Sequence, residues 1–383
     1  MDRFVIFSGA NERAIIAACR YFTRHKQMFS IIARPDADKI KLTSFKKNIA
    51  CTRSCATLDV SDLLRHIAVL KHCYPGERLI YLPTAESINR ILLAYRKQFE
   101  QAGLDVGLVD EALYMLISDK FSFQACAASN GIATPGIIAD PNNASFPFVA
   151  KPKQEFSSVH GNKIYPYLIF TPQDYNRFIV SEVKDDFFFQ QYISGQSFYY
   201  LMFFPDNGQP VVAYQKNLLQ QSGGKSIIYA EACGCPDKKF EIKLINMLET
   251  LKFRGFIMVE VIKNNDSTVI IEANPRLWGP YELAIKQGLT PDLLITDRPS
   301  IKEASIRKGY LWLNGLLLTL TKAEKPKCYG IKFLILWGIF KNTFNDIHFH
   351  FDSLAVYRTE LKQVFTNIVQ LITGWCRHVF TKK

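Results

Sequence analysis

No apolar run in the chain approaches the roughly 18 residues of a membrane-spanning helix, so no segment is expected to cross a bilayer. The start, Met1-Asp2-Arg3-Phe4, leads into a strand-like stretch and lacks the small-residue cleavage site of a secretory signal, so the expected location is the cytoplasm. Neither close cysteine pair, Cys51-x3-Cys55 or Cys233-x-Cys235, has the C-x2-C spacing of a zinc knuckle. The nine cysteines are therefore expected to be free thiols acting as small buried hydrophobes, not a disulfide framework. No zinc finger or other nucleic-acid motif occurs, so no nucleic-acid partner is expected. Ser8-Gly9-Ala10-Asn11 lacks the G-x-G-x-x-G glycines, which excludes a nicotinamide or flavin fingerprint there. Gln221-Ser222-Gly223-Gly224-Lys225-Ser226 lacks the first glycine of a Walker loop, though its backbone N–H groups suit phosphate. No Ser-His-Asp or Cys-His arrangement suggests a side-chain nucleophile.

What the chain does have is length and ordinary globular composition. Its 383 residues, 48% hydrophobic and 21% charged, allow two or three domains with real cores. The net charge of +12 is uneven: Ile301 to Lys383 holds 13 Lys+Arg and 5 Asp+Glu, hence +8. That bias suggests an anionic partner such as nucleotide phosphates, a phosphorylated substrate or an acidic membrane.

The most informative stretch is Gly255 to Ile262 followed by Val269 to Arg276. Both halves are apolar and β-branched, and Lys263-Asn264-Asn265-Asp266-Ser267 between them is turn-like, so a β-hairpin is expected. Alternation puts Glu272 and Asn274 on one face. If the hairpin folds about Asp266, Glu260 lies opposite Glu272 on that face. Facing carboxylates repel unless a cation lies between them. Two Glu and one Asn oxygen donors suit magnesium that also carries phosphates.

Upstream, strands at Arg3–Ser8, Phe29–Ala33 and Arg78–Leu82 alternate with helical segments such as Glu12–Thr23, which predicts a parallel sheet covered on both faces. A helix should start near Asp119-Lys120 with Ser118 as N-cap and stop at Asn130-Gly131. Phe146 to Pro152 reads as a short strand ending in Lys151, and the stretch holding Ser157, Ser158, His160 and Gly161 as a loose flap; His160 is read as a surface residue. Phe187 to Gly195 reads as a strand running into a turn.

Taken in order, Asp119-Lys120, Gly131-Ile132-Ala133-Thr134-Pro135, Val149-Ala150-Lys151-Pro152, Gln190 to Gly195, Glu260, and Glu272-Ala273-Asn274-Pro275-Arg276 resemble the ATP-grasp superfamily from about Phe4 to Leu294. The resemblance implies an α/β and α+β architecture. Residues 1–105 would form a Rossmann-like pre-grasp domain and 106–300 the ATP-grasp domain, with a flap subdomain at about 132–195. Residues 301–383 would be a basic, mainly helical extension. It further implies that Lys120 and Lys151 reach ATP phosphates. Gln190, Gln191 and Ile193 would border the adenine. Glu260, Glu272 and Asn274 would hold Mg2+, with Mn2+ as an alternative ion, and Arg276 and Lys151 would face the transferring phosphoryl group. Many relatives carry an acid after the hinge glycine for the ribose; here Gly195-Gln196 is followed by Ser197, a weaker ribose ligand. The activity implied is ATP-dependent ligation of a small carboxylate to an amine. A kinase or carboxylase on the same fold, or a non-catalytic ATP-binding protein at a membrane, are the alternatives, and a homodimer is an open option.

Beyond that resemblance, Leu361, Val364, Phe365, Ile368, Leu371, Ile372, Trp375 and Val379 recur at helical spacing, which predicts an amphipathic helix over Leu354–Phe380. The expectation is that this stripe buries against the core. The alternative is an interfacial helix on an anionic membrane, suited by the +8 charge and Trp312, Trp337 and Trp375.

Overall fold

The computed structural model describes residues 1–153, 157–161, 164–222, 226–265, 267–296, 309–321 and 326–380. Five short strands form a parallel sheet in the order β3-β2-β1-β4-β5. They are β1 (Asp2–Phe7), β2 (Met28–Ala33), β3 (Ile49–Thr52), β4 (Arg78–Tyr81) and β5 (Leu104–Asp105). Parallel strands are covered on both sides and therefore read as continuous apolar runs. Phe4 and Ile6 of β1 pack with helix α1 (Glu12–Arg24), while Val5 and Phe7 pack with α2 (Val60–Cys73). Helices α3 (Glu86–Ala94) and α4 (Arg96–Gln101) follow β4. The strand order reverses between β1 and β4, which opens a crevice at their carboxyl ends.

Helices α5 (Glu111–Ser118) and α6 (Lys120–Ser129) lead to the next layer. Ser118 is not the N-cap of α6 as expected; it closes α5. Asp119 caps α6, accepting from Ser122 N at 2.7 Å, and its charge also favours the positive helix end. The helix stops at Asn130, and Gly131 takes the left-handed φ of +68° that its stop signal requires.

A four-stranded antiparallel sheet follows, ordered β6-β9-β7-β8. Its strands are β6 (Ile137–Ile138), β7 (Phe148–Pro152), β8 (Tyr167–Ile169) and β9 (Phe187–Gln191), packed on α7 (Pro172–Ser181). Phe148, Tyr175, Phe178 and Phe189 make its core. The turn expected to be a loose flap is tethered: Ser157 Oγ donates to Asp186 Oδ2 at 2.7 Å, and Ser158 N donates to the same carboxylate at 3.1 Å.

The main sheet is antiparallel: β10 (Gln196–Phe204), β11 (Val211–Gln220), β12 (Ile227–Ala232), β13 (Gly255–Lys263), β14 (Thr268–Asn274) and β15 (Gly309–Leu311), ordered β14-β13-β10-β11-β12-β15. A last short strand, β16 (Lys327–Cys328), also pairs with β11. Strand alternation splits β10 between two cores. Tyr200, Met202 and Phe204 face α6 and α8 (Lys238–Thr250), and Tyr199, Leu201 and Phe203 face α1 and α9 (Tyr281–Ile285).

The C-terminal segment carries α10 (Leu313–Thr321), α11 (Lys332–Asn342) and α12 (Leu354–Phe380). It is more than a helical extension, because β15 and β16 join the main sheet. Helix α12 spans the expected residues, but its inward face is Val356, Glu360 and Val364, while Phe365 and Ile368 are exposed. Polar anchors fix this rotation: Lys39 Nζ pairs with Glu360 at 2.8 Å, and Arg20 pairs with Asp352 at 2.7 Å just before the helix. Of the eight described cysteines only Cys19 is buried, contrary to the expectation of buried thiols. No described helix is long and apolar enough to cross a membrane.

Candidate active site

The hairpin β13–β14 builds the centre of the site. Its turn is tied by Asn264 N to Ser267 O at 3.1 Å and Ser267 N to Asn264 Oδ1 at 2.8 Å; Asp266 lies outside the described residues. Lys263, Ile262 and Val261 pair with Thr268, Val269 and Ile270, and after an irregularity Glu260 pairs with Glu272. The extra residue is Ile271, a β-bulge. Ile270 and Ala273 both belong to the core under α6 and α8. Without the bulge Glu272 would share the face of Ile270, inside that core. The bulge turns Glu272 and Asn274 to the opposite face, beside Glu260. The carbonyl of Ile271 then accepts from Gln124 Nε2 at 2.7 Å and from Lys151 Nζ at 3.1 Å.

The two carboxylates have different surroundings. Glu260 is buried and accepts from Ser197 Oγ at 3.0 Å. Behind it Asn217 Nδ2 donates to Ser197 Oγ at 2.8 Å and Gln215 Nε2 to Asn217 Oδ1 at 2.7 Å. Glu272 pairs with Lys120 Nζ at 3.1 Å and accepts from Asn274 Nδ2 at 3.1 Å, and Arg276 Nη2 donates to Asn274 Oδ1 at 2.9 Å. Burial, then the charge of Glu272, pushes the Glu260 carboxyl above its ordinary range. Burial acts in the same direction on Glu272, but the Lys120 and Lys151 ammonium groups outweigh it and hold that carboxyl low. Burial and the neighbouring Lys120 lower Lys151 to about 8. Buried charge of one sign therefore sits beside buried charge of the other, an arrangement that needs hydrogen bonds or a bound ion to be stable.

Glu272 lies between two cavities. The first encloses about 680 Å³ including its mouth, with Val149, Leu168, Ile262 and Ile271 as apolar walls and Lys151, Glu260 and Glu272 at one end. Gln190, Gln191, Tyr192 and Ile193 border it. The second is larger, about 1600 Å³ including open solvent, and more polar. It fills the crevice beyond β1 and β4, where Asn11, Arg13 and Glu86 face Lys120, Glu272, Asn274 and Arg276.

The structure thus brings Lys120, Lys151, Glu260, Glu272, Asn274, Arg276 and the segment 190–193 around adjoining cavities. The side chain of Gln190 turns inward and donates to Gln124, leaving its backbone at the wall. Ser197 is a correction: it is fully buried and its hydroxyl is committed to Glu260, so it is not placed to bind a ribose. The glycines and lysine of the 221–226 loop lie outside the described residues. His160 is exposed, as expected.

Sequence reasoning missed Arg13, Lys327, Tyr329 and Trp312, which line the same cavities. Arg13 is laid across the Trp312 ring at 4.0 Å and donates to Tyr310 Oη at 2.9 Å. A Cβ on Gly279 would lie 2.6 Å from Arg13 Nη2, so the glycine permits this approach. The readable signal was the loop position of Asn11 and Glu86 beyond adjacent parallel strands.

Among the described residues no cluster of three or more His, Cys, Asp or Glu side chains could hold a metal. Glu260, Glu272 and Asn274 nevertheless suit a hard cation whose remaining ligands come from phosphate and water. Glu260 and Glu272 face each other across the ladder with Asn274 two residues on along the same strand as Glu272, which fits this donor set.

No family model matches the sequence, and no curated protein is significantly similar to it. Solved structures do match. An L-amino acid ligase from Bacillus licheniformis is 14% identical with a TM-score of 0.53, over 78% of this chain and 75% of that one. N5-carboxyaminoimidazole ribonucleotide synthetase from Thermus thermophilus is 14% identical with a TM-score of 0.53, over 74% and 73%. Biotin carboxylase from Campylobacter jejuni, solved as a βγ-ATP complex, is 11% identical with a TM-score of 0.55, over 76% and 70%. Over about three quarters of its length the chain shares the fold of these proteins, the ATP-grasp fold.

Proposed function

We propose that the protein is an ATP-dependent ligase that joins a small carboxylate to an amine. The observation that carries this reading is the facing pair Glu260–Glu272, flanked by Lys120, Lys151, Asn274 and Arg276, at the junction of an apolar cavity and a polar one. The apolar cavity beside the 190–193 segment suits adenine. The polar cavity, with arginines and Glu86 facing one another, suits a carboxylate and an amine. Residues 1–105, 106–300 (with the flap at about 132–195) and 301–383 would act as pre-grasp, grasp and C-terminal units.

In the reaction a substrate carboxylate oxygen attacks the γ-phosphorus, the bond to ADP breaks, and an acyl phosphate forms. The amine nitrogen then attacks the acyl carbon, inorganic phosphate leaves, and the amine proton is lost. Lys120 and Lys151 orient phosphate oxygens and neutralise their charge, which is most of what phosphoryl transfer requires. Arg276, held by Asn274, presents its guanidinium at the entrance from the polar cavity and orients the acyl phosphate. Glu260, Glu272 and Asn274 would hold Mg2+, which supplies further neutralisation of the phosphates. The structural neighbours support this reading in kind, since one of them is an L-amino acid ligase.

The test is ADP release with Mg-ATP and pooled carboxylates and amines, with mass spectrometry of products. The expected result is ADP and phosphate in equal amounts with a condensed amide. A stable phosphorylated product without free phosphate would replace the ligase reading with a kinase, and absence of any nucleotide turnover or binding would overturn it.

A further inference from the structure

Helix α11 is apolar on its outward side as well as on its inward one. Phe333, Leu334, Leu336, Trp337 and Phe340 are between 51% and 73% exposed, while Ile335 and Gly338 face inward. Gly338 lies against the Tyr229 ring, where no Cβ would fit. At 3.6 residues per turn the exposed apolar side chains cover roughly 160° of the helix circumference. Phe344, two residues beyond the end of the helix, is 79% exposed. Contiguous apolar exposure of this kind marks a surface that something covers.

We propose that α11 docks the protein on an anionic lipid surface, lying in the plane of the membrane interface. The charge pattern favours lipid. Pro326 to Asn345 contains Lys327, Lys332 and Lys341 and no acidic residue, so the apolar arc is framed by cations. Trp337 sits within the arc, stacked on Phe340 at 5.9 Å and within 5.2 Å of Lys341 Nζ, the amphipathic combination that suits a headgroup layer. With 11 residues the helix is about 16 Å long, half of the ~30 Å hydrocarbon core, so it lies in the interface and does not span it. The site is also adjacent: Lys327 and Tyr329 line the cavity beside Glu260, and Ile331 enters α11 two residues later. Docking through α11 therefore holds the nucleotide end of the cleft near the bilayer surface.

The experiment is flotation of the full chain with vesicles of equal parts phosphatidylglycerol and phosphatidylcholine, against pure phosphatidylcholine vesicles. Co-flotation is expected with the anionic vesicles at low salt and should fall as salt screens the lysines. A blue shift of tryptophan emission on adding vesicles should disappear in Trp337→Phe. The triple variant Phe333→Ser, Leu336→Ser and Phe340→Ser should keep its melting temperature and lose at least about tenfold in vesicle binding, since it removes three apolar side chains from the inserted face. No co-flotation of the full chain at low salt overturns the proposal, and so does equal flotation of the triple variant. A dimer in sedimentation that the triple variant dissociates, without flotation, assigns the face to a second copy and also overturns it.

Discussion

The hairpin β13–β14 and helix α11 break the ordinary partition of polar and apolar groups in opposite senses. The hairpin gathers two carboxylates, two lysines and an arginine into a cleft, with Glu260 and Lys151 buried. The helix sets Phe333, Leu336, Trp337 and Phe340 in water. In the hairpin the internal partners are nearly complete: Ser197 on Glu260, Lys120 and Asn274 on Glu272, the Ile271 carbonyl on Lys151. Among the described residues none covers the exposed arc of α11. Both departures cost stability in the isolated chain, and in the proposals above each would be relieved by a different kind of ligand, a metal-bound polyphosphate in one case and lipid in the other. Ionisable groups drawn into a cleft and apolar groups left in water each mark a place for a ligand, of different chemistry in the two regions.

The largest effect belongs to Glu272→Gln. Removing this carboxylate should lower turnover by at least about a hundredfold, the scale of losing one group that stabilises developing charge, measured as ADP release under saturating Mg-ATP. Retained turnover would mean that the buried pair serves the fold alone. Lys151→Met keeps the aliphatic stem and removes the charge; kcat/KM for ATP should fall by about tenfold or more. Because Lys151 is lowered to about 8, its charged form is lost as pH rises through that value. The wild-type kcat/KM should therefore decline above about pH 8, and Lys151→Met should flatten that decline.

Within α11 itself the two sides should separate cleanly. Ile335→Ala opens a cavity against Leu311 and Tyr229 and should cost about 2–5 kcal/mol, whereas Phe333→Ala should change stability by no more than about 0.5 kcal/mol. Equal losses in denaturant unfolding would show that the exposed face is packed in solution.

A smaller effect separates the two acids. The Glu260 carboxyl is raised, so the folded protein holds that proton more tightly than the unfolded chain. Its contribution to stability is present at low pH and is lost as pH rises from the ordinary carboxylate range through the raised value. Glu272 is lowered, so its contribution is present above the ordinary range and is lost as pH falls. Without Mg2+, Glu260→Gln should therefore raise the melting temperature at pH 8 relative to wild type and leave it unchanged or lower at pH 5. Glu272→Gln should give no such gain, because it strands Lys120 and Lys151. The relief of repulsion that facing carboxylates suggest thus resides at Glu260.

Much of this was legible in the sequence where the pattern is local. The alternation in 255–276 indicated the facing of Glu260 and Glu272, and three of the five parallel strands, β1, β2 and β4, were legible to within one residue, whereas the short β3 and β5 were not. The bulge at Ile271 was not legible, since an added isoleucine in an isoleucine-rich strand leaves no compositional mark. Nor was the role of Ser197, because its partner Glu260 is on a neighbouring strand 63 positions away. Strands β15 and β16, of three and two residues, are too short to carry a period, so the C-terminal segment reads as mainly helical. The periodic stripe in α12 was visible, but which face turns inward was decided by Lys39 and Arg20, more than 300 positions away.

If Glu272 and its neighbours form the metal-nucleotide site, the melting temperatures of wild type and Glu272→Gln must respond differently to Mg-ATP. Mg-ATP should raise the wild-type melting temperature by several degrees, since a ligand at about a hundred times its Kd adds about 2.7 kcal/mol. It should leave Glu272→Gln nearly unmoved. An equal upward shift in both proteins would contradict the assignment.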